Sequence, residues 1–230
     1  VISLRGHADF LQSITSTAEH AWGLALSLIR GLPWAFEDVK NGKWDRLKWR
    51  GHEMKNKTLG IVGLGRLGKM MSRYGNAFGM KVVAADPNVS EEKMKEYGAK
   101  KVAFEELFKI SDVVTLHVLL TDAVYNLVKE EHLRSMKPTA LLIDTARAEL
   151  IEKGMLYKAL ENKWIAGAGL DVVAAVLGHS TIRTTTRYAH LGREDTAKAV
   201  GSIRFAPALP PGAMRAATGL NLDPNGICKT

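Results

Sequence analysis

At 230 residues and 25.2 kDa, the chain has room for one large domain or for a medium domain with an appendage. Its 46% hydrophobic and 24% charged residues exclude a wholly disordered or collagen-like chain. No run approaches the roughly 18 to 20 apolar residues of a membrane span, and Arg5, His7 and Asp9 interrupt any stretch a signal peptide would need. Cys228 is the only cysteine, so neither an internal disulfide nor a cysteine metal cluster is expected, which fits a reducing, cytoplasmic compartment. The net charge of +8 is uneven: residues 172–230 hold seven Lys/Arg against three Asp/Glu, half the excess on about a quarter of the chain. That asymmetry suggests two segments with different partners.

Residues 1–57 read as an N-terminal helix and a basic linker. Ala18, Ala21, Trp22, Ala25, Leu28 and Ile29 recur at helical spacing, residues 15–17 offer caps, and Gly31 with Pro33 is expected to end the helix. The linker, residues 40–57, carries Trp44 and Trp49 among basic residues. Such interleaving can grip nucleic acid; the favoured expectation is a surface connector whose tryptophans pack on the neighbouring domain. Residues 58–172 then alternate. Apolar strands are expected at 58–62, 81–85, 112–117, 140–144 and 165–172, with helices at about 66–78, 90–97, 130–136 and 149–162. Near-continuous apolar strands separated by helices imply an α/β fold with a doubly wound parallel sheet, Rossmann-like. Residues 173–203 read as a short helical appendage. Residues 204–230, rich in proline and glycine and without periodicity, read as a disordered tail.

Gly63, Gly65 and Gly68 stand in Gly-x-Gly-x-x-Gly spacing between the first strand and a helix. The first glycine permits a tight turn, the second lets backbone approach a pyrophosphate, and the third lets helix and strand pack closely. The helix N-terminus favours phosphate. Asp86 closes the next strand, where a carboxylate accepts hydrogen bonds from a ribose and repels a 2′-phosphate. NAD is therefore expected over NADP.

The stretches around residues 16–20, 59–68, 112–118, 142–147 and 166–172, in this order, resemble the nucleotide-binding part of the D-isomer-specific 2-hydroxyacid dehydrogenases across about residues 10–172. The resemblance implies hydride transfer between NAD and a small 2-hydroxy or 2-keto acid. It would place Arg66 and Leu67 over the pyrophosphate, Asp86 on the ribose, Thr145, Ala146 and Arg147 along the nicotinamide, and Asp171 on its carboxamide. Arg147 matches the arginine that binds the substrate carboxylate and keto oxygen, a task suited to a planar, permanently charged fork. His117, ending a strand at the cofactor edge, reads equally as a cofactor neighbour or a structural histidine. A homodimer contact through the first helix, around Trp22, is a further implication. The chain departs from the pattern at Leu119 (proline in the family) and at Ala148 (glycine). It also lacks the glutamate and histidine that form the family's general acid pair, and most of the N-terminal substrate domain. A truncated enzyme of low activity is the expectation.

Residues 176–191, with Leu-Gly-His179 and Tyr188 nine residues after the histidine, are similar to the C-terminal signature of tyrosine recombinases. That resemblance implies Tyr188 as nucleophile on a DNA phosphate and His179 as its hydrogen-bond donor, with DNA as a partner of residues 173–230 only. Phosphoryl transfer also needs cations to stabilise developing charge, and the family's upstream arginine box is not found before residue 176, so active recombination is not expected. The switch between resemblances at 172/173 suggests a chimera.

Overall fold

The computed structural model describes residues 14–45 and 47–170. The expectations for Asp171, His179, Tyr188, the appended helices, the tail and the 172/173 junction lie outside the described residues.

Helix α1, Ser16–Ile29, buries all six apolar residues that its spacing selected. Thr15 is its N-cap, but the hydroxyl donates to Glu19 Oε1 at 2.6 Å instead of accepting from a backbone N–H. The helix ends at Ile29, ahead of Gly31 and Pro33 as expected. Gly31 takes a left-handed φ of 62°, and the chain turns into a separate helix α2, Leu32–Lys40, with Pro33 in its first turn, where an N–H has no intrahelical partner to lose. In the connector, Trp49 stacks on Trp34 with ring centroids 5.9 Å apart and donates its indole N–H to Asp38 at 2.6 Å. Trp44 is exposed. The expected packing thus holds for Trp49 alone, and against its own neighbouring helix.

Six strands form one parallel sheet: β1 Thr58–Val62, β2 Lys81–Ala85, β3 Lys100–Lys101, β4 Val113–Leu116, β5 Leu141–Asp144 and β6 Gly167–Leu170, in the order β3-β2-β1-β4-β5-β6. The fold is a doubly wound, Rossmann-like α/β domain. Five of these strands show as apolar runs in the sequence. The sixth, β3, does not, because two lysines pairing with Val83 and Ala84 at a sheet edge carry no hydrophobic pattern.

Between strands come α3 Arg66–Ala77, α4 Glu91–Glu96, α5 Phe104–Ile110, α6 Glu130–Ser135 and α7 Met155–Glu161. The helix expected over 149–162 is a correction. Residues Ala148–Leu150 form one 3-10 turn, Ile151 bridges Val128 in extended backbone, and the helix starts only after Gly154 at φ 83°. Ile151 is 6% exposed, so burial of an extended segment overrode local helix propensity.

Side chains alternate between the two faces of the sheet, and each face has its own helical cover. Leu59, Ile61, Val113, Leu141 and Ile143 pack in one cluster with Trp22 and Leu24 of α1 and Met71 of α3. Val62, Val83, Val114, Leu116 and Leu142 pack in the other with Phe108, Leu133, Leu150 and Ala159. Trp22 lies inside the first cluster, 7% exposed, edge-on to Phe78 at 5.0 Å and tilted against Tyr74 at 5.9 Å. Its ring is core and not a dimer surface, which corrects the expectation attached to it. Among the described residues no helix is long and apolar enough to cross a membrane.

Candidate functional site

Parallel strands put their C-terminal ends on one edge of the sheet, and ligands of such folds gather there. This edge collects the glycine loop after β1, Asp86 after β2, His117 after β4 and residues 145–147 after β5. Sequence reasoning placed these residues at strand ends, and the structure brings them to one side of the molecule.

The glycine loop is shaped by close approaches. Gly63 has φ 87°, and a Cβ there would lie 2.8 Å from both the His117 carbonyl oxygen and Val118 Cγ1. At Gly68 a Cβ would overlap the Gly63 carbonyl oxygen and lie 3.2 Å from Ile61 Cγ2, so helix α3 sits against β1 only because the side chain is absent. Gly65 differs. It is exposed, and a Cβ there meets nothing within 4 Å. The fold does not require glycine at 65, while a ligand approaching the N-terminus of α3 would.

Asp86 is wired into that loop. Its Oδ2 accepts the Leu64 N–H at 2.8 Å and its Oδ1 accepts the Asn88 N–H at 2.9 Å. A carboxylate has about four lone-pair sites, so two such bonds orient the group and leave capacity for hydroxyls. Arg66 reaches toward the N-terminal segment. Its Nη1 donates to the Ile14 carbonyl at 2.6 Å, tying α3 to the residues before α1. Leu67 packs on the α1-side cluster.

His117 shares a 2.8 Å hydrogen bond between Nε2 and Thr115 Oγ1. The residue as a whole is half-buried, yet its Nδ1 is shut off from solvent and has no hydrogen-bond partner among the described residues. Desolvation pushes its pKa from 6.5 down to about 4. At neutral pH the ring is therefore uncharged and is no source of an acidic proton.

At the end of β5, Asp144 is 3% exposed and its Oδ1 accepts the N–H groups of Ala146 at 2.9 Å and Arg147 at 3.2 Å. Thr145 is buried, and its hydroxyl has no hydrogen-bond partner among the described residues. Arg147 is exposed, its Nη1 donating to the Ala146 carbonyl at 2.7 Å. Sequence reasoning missed Asp144 and the Leu64 N–H. The spacing from Asp144 to residues 146 and 147 is that of an Asx turn and was available as a signal; a backbone donor such as Leu64 leaves no mark on residue type.

Residues 22–181 match the family described as the D-isomer specific 2-hydroxyacid dehydrogenase, NAD binding domain. The chain belongs to this family. The dehydrogenase match runs nine residues beyond residue 172, where the sequence suggested a switch to another family. A glyoxylate reductase of Korarchaeum cryptofilum is 41% identical over 162 residues, 68% of this chain and 48% of that protein. A D-3-phosphoglycerate dehydrogenase of Synechocystis is 40% identical over 169 residues, 73% of this chain and 30% of that protein. Among solved structures, a D-lactate dehydrogenase from Aquifex aeolicus complexed with NAD and lactic acid is 34% identical with a TM-score of 0.66, covering 74% of this chain and 54% of that one. The chain thus spans between about a third and a half of the curated relatives it matches. NAD is the cofactor of this dehydrogenase domain, and three observations above fit it: the open approach at Gly65, the N-terminus of α3, and the half-satisfied Asp86 carboxylate.

Proposed function

We propose that this chain is the cofactor-binding part of an NAD-dependent oxidoreductase acting on a small 2-hydroxy or 2-keto acid. The observation that carries the reading is Asp86, whose Oδ2 accepts the Leu64 N–H and so holds, beside the glycine loop, a carboxylate that would also accept the hydroxyls of a ribose. Backbone of residues 63–68 would take the pyrophosphate, residues 145–147 would line the nicotinamide, and Asp171 would take its carboxamide. Bound NAD supplies the hydride acceptor or donor. Arg147 would bind the carboxylate of the acid through its guanidinium, which is exposed at the same sheet edge. His117 would act as a packing neighbour of the loop, since a ring with a pKa of about 4 is neutral at working pH. Glyoxylate and D-lactate are the substrates to try first, because relatives are named for them. The test is absorbance at the NADH band with each acid, against an Arg147→Lys variant. Turnover lost on substitution supports the reading; equal rates in both proteins overturn the role of Arg147.

The proposed partner is a second copy of the chain. Leu32, Phe36 and Val39 fall on one side of α2 and, with Trp44 and Leu47, are exposed apolar groups. Light scattering on Phe36→Glu should show a monomer if α2 is the contact. The DNA-recombinase reading rests on residues 173–230 alone. A duplex-binding assay with and without those residues decides it, and nothing among the described residues favours it.

A further inference from the structure

Strand β5 ends at Asp144, where its pairing with β4 stops opposite Leu116. Beyond that point β4 no longer supplies carbonyl acceptors to residues 146 and 147. Backbone N–H groups at such a position need another acceptor or water. Asp144 supplies it, one carboxylate oxygen taking both N–H groups, at 2.9 and 3.2 Å. A carboxylate only 3% exposed is costly unless its oxygens are hydrogen-bonded, so the two bonds stabilise the acid while they shape the turn. The residue whose backbone they fix is Arg147, whose guanidinium donates, among the described residues, to the Ala146 carbonyl.

We propose that Asp144 is a positioning residue: it clamps the main chain of the 145–147 turn so that Arg147 is presented in one orientation to the anionic group of the substrate. The inference rests on the reading of Arg147 as the carboxylate-binding group. Asp144 works through Oδ1 as a hydrogen-bond acceptor and not through its charge. An asparagine, which keeps that oxygen, is therefore a functional substitute, and an alanine is not. A guanidinium on an unclamped turn samples several directions, and each costs affinity because the ordering must then be supplied on binding.

The test uses the full chain saturated with NADH, with oxamate as an unreactive analogue of a small keto acid. Amide hydrogen exchange is read at residues 146 and 147. In the native protein and in Asp144→Asn both amides should be protected. In Asp144→Ala their exchange should rise by about three- to tenfold, the usual net worth of a hydrogen bond. Oxamate affinity should fall by about tenfold or more in Asp144→Ala and stay within about threefold in Asp144→Asn. The proposal is overturned if the native amides exchange like an unstructured peptide, if the Asn and Ala variants lose affinity equally, or if Ala loses none. Protected amides in a native protein that does not bind oxamate would overturn the reading of Arg147 instead, and the positioning role with it. Should the Ala variant fail to fold, the native exchange rates and the Asn variant still decide, since Asn is required to behave as the native chain does.

Discussion

The two halves of the ligand edge are built differently. At the β1 and β2 ends the glycine loop is pressed between strand, helix and the His117 carbonyl, so that a single methyl group at Gly63 or Gly68 has nowhere to go. At the β5 end, Arg147 is an exposed side chain whose orientation rests on a short turn and one buried carboxylate. Gly63 and Gly68 in the first half cannot change without the fold noticing. The exposed Arg147 side chain in the second can. A cofactor site shared by enzymes of many substrates belongs in the first class, and a substrate contact belongs in the second.

The largest effect should come from breaking the buried half. Gly68→Ala forces a Cβ into the Gly63 carbonyl, and overpacking against backbone should cost about 3 kcal/mol in denaturant unfolding. Survival of native stability would mean that α3 does not sit where the close contacts put it. Next, Asp86→Ala removes an acceptor of the Leu64 N–H and, on the proposed reading, of the ribose. Loss of charge-assisted hydrogen bonds predicts NADH binding weaker by about 2 kcal/mol, or roughly thirtyfold, by calorimetry.

Acid should then weaken the same half. The folded-state pKa of His117 is depressed from 6.5 to about 4, so below pH 6.5 the unfolded chain binds a proton that the folded one refuses. Stability from this group is complete above pH 6.5 and is lost as pH falls toward 4. About 1 to 2 kcal/mol is expected once the partial exposure of the ring is allowed for. Burial also lowers the pKa of His132, which adds acid sensitivity in the same direction. His117→Gln should therefore flatten the pH dependence of the unfolding midpoint without abolishing it.

The smallest stability effects should fall on the open positions. Gly65→Ala and Arg147→Lys should each leave stability within about 0.5 kcal/mol. Gly65→Ala should nonetheless weaken NADH, because its Cβ would stand in space the fold leaves open.

Most of the cofactor half was legible in the sequence, since its logic is carried by residue type and spacing: three glycines, an apolar strand, an acid at the next strand end. Close approach shows as glycine. The misreadings have physical causes. Trp22 reads as amphipathic on its own helix, and only the packing of Phe78 and Tyr74 around it shows it to be core. The run 149–162 has helical residues throughout, yet the bridge from Ile151 to Val128 holds its first part extended. Each depends on a partner distant in sequence, which local pattern does not encode.

The central claim is that residues 63–68 and Asp86 form a working NAD site in this chain. Calorimetric titration of NADH into the full chain tests it most directly. The account predicts saturable binding of one NADH per chain, with a dissociation constant between about 1 μM and 1 mM, the range usual for enzyme ligands, and weaker binding in Asp86→Ala. Absence of binding at millimolar NADH, or equal binding by the Asp86 variant, would contradict it.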